Sequence, residues 1–107
     1  MKLLFICNQN QHRSPTAAHV FKDRFVTSSA GLYNEHPVTV EQIEWAEVII
    51  VMDERQRATL AERFPKQLVH KQLLCLDIPD VFLRNDPKLV SLLTERMKSL
   101  EPVMQLA

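Results

Sequence analysis

Residues 48–52 read Val-Ile-Ile-Val-Met, an unbroken apolar run made mostly of β-branched side chains. Side chains of a strand alternate between two faces, so a run with no polar position needs cover on both. Strands of that kind belong to parallel sheets flanked by helices. The rest of the chain supplies the partners. Short apolar segments at residues 2–7, 26–30 and 73–78 read as further strands. Residues 14–25 place Ala17, Phe21 and Phe25 four apart, the stripe of a helix packed on a sheet. Thr39 caps a short helix over residues 39–46, with Trp45 on its buried side. Asp53 caps the next, in which Leu60, Ala61 and Phe64 share a face and which Pro65 stops. Asp86-Pro87 opens the last helix, whose core stripe is Leu89, Leu93, Met97 and Leu100; the residues after Pro102 are expected to fray. Gly31 begins a loop holding Tyr33, Asn34, His36 and Pro37. Repeated strand–helix units predict an α/β fold, with a parallel sheet, right-handed crossovers and helices on both faces, in one domain over residues 1–107.

Charge and cysteine content narrow the function. Thirteen basic residues balance thirteen acidic ones, so no broad nucleic-acid or membrane surface is expected. No secretory signal or membrane-spanning stretch is apparent, and a cytoplasmic location is expected. Two cysteines are too few for a disulfide scaffold or, alone, a zinc site, and no metal or cofactor is expected. In a reducing compartment a free thiol is free to react. Cys75, among Leu73, Leu74 and Leu76, reads as a buried structural thiol.

Cys7 reads differently. It ends the first apolar strand, five residues intervene, and Arg13-Ser14-Pro15 opens a helix, with Ser14 as N-cap and Pro15 at the first helical position. A cysteine facing backbone amides and a helix N-terminus is favoured as thiolate, because those dipoles stabilise negative charge. The same amides, from Asn8, Gln9, Asn10, Gln11, His12, Arg13 and Ser14, suit a phosphate dianion. Arginine adds a planar fork of donors that follows charge onto the equatorial oxygens in the transition state. Ligands of parallel sheets bind beyond the carboxyl ends of the strands, which brings Cys7, Gly31, Asp53 and the segment after Leu76 to one edge.

Cys7, Asn10, Arg13, Ser14 and Pro15 resemble by position the signature of the low-molecular-weight protein tyrosine phosphatases, a strand followed by Cys-x5-Arg-Ser-Pro. Ser29-Ala30-Gly31 is similar to the family's Ser-Ala-Gly, and residues 48–53 to its third strand running into Met-Asp. The chain looks closest to a shortened subgroup whose members are mostly only predicted phosphatases. The resemblance implies a three-layer sandwich around a four-stranded sheet in the order 2-1-3-4, which periodicity does not supply. It also implies that Ser14 hydrogen-bonds the thiolate and that Asn10 braces the loop. Three departures stand out. Gln9 occupies the position usually held by glycine, the residue suited to positive φ, so either the loop geometry differs or the site carries strain. His12 replaces a second cysteine common in the loop; it either tunes the thiolate or is an exposed neighbour. The connection between Gly31 and Val48 is short, which predicts an open site.

Thiol-based phosphoester hydrolysis needs an acid for the leaving oxygen. The family's acid follows the fourth strand, usually as Asp-Pro. Asp86-Pro87 matches that dipeptide but sits directly before a helical stripe and reads as an N-cap. Asp80, nearer the strand end, is the expected acid, with Asp77 the second choice. Tyr33 and Phe82 are the expected substrate walls, with His36 also near the mouth. The expected activity is a cysteine-dependent phosphomonoesterase, foremost a phosphotyrosine protein phosphatase, forming a cysteinyl phosphate on Cys7. Its partner would be a phosphorylated protein or a small phosphoester. An arsenate reductase-like thiol enzyme, a phosphocarrier and a non-catalytic phosphate-binding module stay open. The first would need an outside thiol besides Cys75, and the second has no need of Arg13.

Overall fold

The alternation of strands and helices is present in the computed structural model, which describes residues 1–105. In chain order the elements are β1 (Lys2–Cys7), α1 (Arg13–Val20), β2 (Val26–Gly31), α2 (Val40–Trp45), β3 (Val48–Val51), α3 (Glu54–Arg63), β4 (Gln72–Cys75) and α4 (Pro87–Gln105). All strand pairs are parallel and the order is β2-β1-β3-β4, as the resemblance implied. The two-residue period of the strands divides the interior into two cores. Leu3, Phe5, Val48 and Ile50 point toward α1 and α4, where they meet Ala17, Phe21, Leu89, Leu93 and Met97. Leu4, Ile6, Ile49 and Val51 point the other way and meet Ile43 of α2 and Leu60 of α3. The apolar run therefore has helices on both sides, in three layers. Among the described residues no helix is long and apolar enough to cross a membrane.

Local chemistry sets the helix starts on the α2/α3 side. Thr39 Oγ1 accepts the Gln42 N–H at 3.2 Å while Gln42 Oε1 accepts the Thr39 N–H at 2.9 Å. Asp53 and Gln56 repeat this capping box at 3.1 and 3.2 Å. Asp86 Oδ1 accepts the Lys88 N–H at 2.9 Å, the N-cap expected of it.

Several boundaries differ from expectation. α1 stops at Val20, and residues 21–25 turn back through the Arg24 and Phe25 N–H groups onto the Phe21 carbonyl, both at 3.1 Å. Phe21 and Phe25 still reach the core by this turn. Ser14 is not the N-cap: the helix begins at Arg13, His12 holds the capping position without a side-chain bond to the helix's own N–H groups, and Pro15 lies within the first turn. Proline is tolerated there because first-turn N–H groups have no partner inside the helix. β4 ends at Cys75 rather than at residue 78 because Asp77 takes a left-handed φ of 56°, although Leu76 and Ile78 still donate to Val51 and Met52. Ala61 is exposed, since position 61 turns 100° away from the Gln56–Leu60–Phe64 row. Pro102 does not fray the chain end: α4 continues to Gln105 and buries Met104. The carbonyl that Pro102 leaves without a helical donor belongs to Lys98, which is exposed. The rest of that expectation, residues 106–107, lies outside the described residues.

Candidate active site

Cys7 is the last residue of β1 and is 3% exposed. Beyond it the chain curls tightly, because the Asn8 carbonyl accepts two N–H groups of the loop after β2, from Leu32 at 3.0 Å and Tyr33 at 2.9 Å. The left-handed residue of this turn is Asn10, with φ at 54°, and not Gln9. Asparagine adopts this conformation more readily than most residues because its short amide bonds locally; Asn10 Oδ1 here accepts the Ser14 hydroxyl at 2.9 Å. The loop thus turns one residue later than a glycine at position 9 would suggest, and Gln9 bears no such strain.

Ser14, fully buried, stands with Oγ 3.0 Å from Cys7 Sγ and 3.4 Å from the Ala30 carbonyl. A hydroxyl has one proton, so its three neighbours compete. With Cys7 as thiol, S–H donates to Oγ and the hydroxyl donates to Asn10. With Cys7 as thiolate, the hydroxyl is free to rotate toward sulfur.

Arg13 is the largest fully buried side chain, at 2% exposure. Its Nη1 donates to the Ile78 carbonyl at 2.9 Å and lies 3.5 Å from Asp53 Oδ2, while Nε lies 3.6 Å from Asp80 Oδ1. A guanidinium has five N–H groups, and only one makes a short bond among the described residues. The others remain available to an anion, with the two carboxylates compensating the buried charge meanwhile.

These groups surround a small cavity of about 50 Å³ lined by Cys7, Asn8, Gln9, Gln11, His12, Arg13 and Asp80. Asp80 is the expected acid that reaches it. Asp77 opens instead onto the adjoining wider cleft, shared with Asp53, Arg55 and Arg96, and its carboxylate lies 3.6 Å from Arg96. Asp86 is occupied as a helix cap. Tyr33 lies on a neighbouring depression with Asn8, Asp53, Arg55 and Gln56, its ring 5.1 Å from the Arg63 guanidinium. Phe82 is not on the cavity lining; it is half-buried against the α1/α4 core, because Val81 and Leu83 on either side face solvent. His36 is exposed and absent from the lining, and Trp45 packs on the α2/α3 core.

Two further contributions escaped the sequence reading. Asp53, read as a cap at the sheet edge shared with Cys7, also pairs with Arg13. Gln56, 1% exposed, accepts the Met52 N–H at 2.7 Å and donates to Asn8 Oδ1 at 3.1 Å, tying the loop to the start of α3. Its position three residues after the cap was the available signal. His12 is neither an exposed neighbour nor seen bonded to sulfur: half-buried, it accepts the Arg84 N–H through Nδ1 at 3.1 Å. Cys75 is free and packs against the α2/α3 core, where burial raises its thiol above the ordinary value, with nearby carboxylates adding to the shift. Among the described residues no group of three or more His, Cys, Asp or Glu is arranged to hold a metal ion.

Four parallel strands in the order 2-1-3-4, with a cysteine–arginine loop at the carboxyl end of the first, define the fold of the low-molecular-weight protein tyrosine phosphatases. Solved structures of that fold superpose over nearly the whole chain. A low molecular weight phosphotyrosine phosphatase from Vibrio cholerae covers 98% of this chain and 97% of its own, with a TM-score of 0.79 and 18% identity. Vibrio vulnificus Wzb, solved in complex with benzylphosphonate, covers 99% and 98%, with 0.71 and 16%. The YwlE arginine phosphatase from Geobacillus stearothermophilus covers 97% and 88%, with 0.67 and 21%. No protein-family model and no curated protein sequence matches the chain.

Proposed function

We propose that this protein is a cysteine-dependent phosphomonoesterase, acting foremost on phosphotyrosine in proteins. The observation that carries the proposal is the Cys7 sulfur 3.0 Å from the Ser14 hydroxyl, in a cavity whose lining includes Arg13 and Asp80. A bound phosphate dianion competes with Asp53 and Asp80 for the Arg13 guanidinium, which frees Asp80 to carry a proton. Cys7 thiolate attacks phosphorus, the bond from phosphorus to the ester oxygen breaks, and Asp80 protonates that oxygen. Water then attacks the cysteinyl phosphate and gives its proton to Asp80; the phosphorus–sulfur bond breaks, releasing phosphate and the thiolate. Arg13 and the loop amides stabilise the charge on the transferring group in both steps.

Turnover of para-nitrophenyl phosphate with a chelator present, abolished in Cys7→Ser, is the expected result. Absence of thiol-dependent turnover from mildly acidic to neutral pH would refute the phosphatase. Proteins of this fold include both phosphotyrosine and arginine phosphatases by name, so competition among phosphotyrosine, phosphoarginine, phosphoserine and sugar phosphates reads the substrate class. Equal or better kcat/KM for any of the others removes the tyrosine preference and leaves the Cys7 chemistry standing.

A further inference from the structure

Asp80 lies on a segment without regular secondary structure, between β4 and α4. The segment is bracketed by two left-handed residues, Asp77 at φ 56° and Asn85 at φ 63°. Its near end is held where Arg13 donates to the Ile78 carbonyl. Its far end is held by two side chains from the start of α1. His12 Nδ1 accepts the Arg84 N–H at 3.1 Å, and Thr16 Oγ1 accepts the Asn85 N–H at 3.0 Å. Thr16 is fully buried, and its hydroxyl proton is engaged with the His12 carbonyl, so the oxygen is oriented as an acceptor toward Asn85. His12 accepts through Nδ1 only with that nitrogen unprotonated, which puts the ring proton on Nε2. Residues 12, 13 and 16 thus hold both ends of the segment that carries Asp80 at the cavity, while Phe82 packs its middle on the core.

We propose that His12 and Thr16 are positioning residues that keep Asp80 within reach of the leaving oxygen, by accepting the Arg84 and Asn85 N–H groups. This rests on the phosphatase reading with Asp80 as acid. Neither side chain takes part in proton transfer. Their effect is to limit how far the Asp80 carboxyl strays from the reacting atoms, which matters in proportion to how much the leaving group needs an acid.

The test combines leaving-group dependence with amide exchange in the full chain. General acid catalysis is worth about 10²–10⁴-fold, so loosening one tie should forfeit about 10-fold on phenyl phosphate, a poor leaving group, and under about 3-fold on para-nitrophenyl phosphate. His12→Ala and Thr16→Val should show this split. His12→Asn, whose Oδ1 is as many bonds from the backbone as Nδ1, and Thr16→Ser should restore turnover of phenyl phosphate. Hydrogen exchange at the Arg84 and Asn85 amides should quicken in the Ala and Val variants and return in the Asn and Ser variants. Equal losses on both esters, or unchanged exchange at residues 84 and 85, would overturn the proposal while the phosphatase stands. A wild-type protein with no Cys7-dependent turnover would instead overturn the phosphatase, and this role with it.

Discussion

Gly31 ends β2 opposite Cys7, and its φ lies outside the left-handed region, so a side chain there is opposed by space alone. A Cβ at position 31 would stand 2.3 Å from Asn34 Oδ1, 2.8 Å from Asn34 Cγ and 3.1 Å from the Asn10 backbone nitrogen. The first two contacts are far below van der Waals separation, but Asn34 is held only by a 3.2 Å bond to the His36 carbonyl, and its Oδ1 has no partner among the described residues. Asn34 can therefore move. The Asn10 nitrogen belongs to the turn that shapes the phosphate loop, and it can yield only by shifting that turn. Overpacking costs about 1–3 kcal/mol, and with one flexible neighbour Gly31→Ala belongs near the lower end, about 1–2 kcal/mol. At roughly 4–8 °C per kcal/mol the loss is readily measured by thermal melting. Turnover should suffer more, about 10-fold or beyond, because small displacements of a phosphate loop degrade attack geometry. Adding Asn34→Ala removes both severe contacts, so the double variant should regain most of the melting temperature and little of kcat/KM, a coupling read by a double-mutant cycle. A Gly31→Ala protein with unchanged melting and turnover, or no stability regained in the double variant, would refute the steric reasoning.

The acid and the helix cap should separate cleanly. Asp80→Asn is expected to slow hydrolysis of phenyl phosphate by about 10²–10⁴-fold, whereas Asp86→Asn keeps a good N-cap and near-normal turnover; the reverse pattern would transfer the acid role to Asp86. Gln56→Leu strands the buried Met52 N–H, removes the capping box of α3 and frees Asn8. It should cost about 2–3 kcal/mol in denaturant melts, and an unshifted midpoint would discount the network. The Cys75 thiol, raised by burial, ionises more easily in the unfolded chain. Its contribution to stability is thus complete below the unfolded value of about 8.5 and declines as pH rises through it. The stability difference between wild type and Cys75→Ala should therefore shrink on going from neutral to alkaline pH, and a constant difference would contradict the burial effect.

What the sequence determined by itself rests on interactions that span a few residues. The unbroken run at residues 48–52 required cover on two sides, and both cores are present on the two faces of β3. Thr39, Asp53 and Asp86 were legible as caps because a cap and the N–H groups it serves lie within three residues of each other. Cys7 and Arg13 were legible because strand, loop and helix follow one another directly. Tertiary structure decided the rest. Ser14 looked like a cap, but its hydroxyl is drawn to Cys7 and Asn10 once the loop curls, and the helix starts two residues earlier. The left-handed turn falls at Asn10 rather than Gln9 because the chain must bring the Asn8 carbonyl under the loop after β2, a partner more than twenty residues away in sequence. Phe82 beside Asp80 suggested a wall for substrate, yet an irregular segment crossing a core turns its one aromatic inward. Asp53 and Asp80 flank one guanidinium only because parallel strands deliver their carboxyl ends to the same edge, and which loops become neighbours there depends on strand order, which no local period encodes.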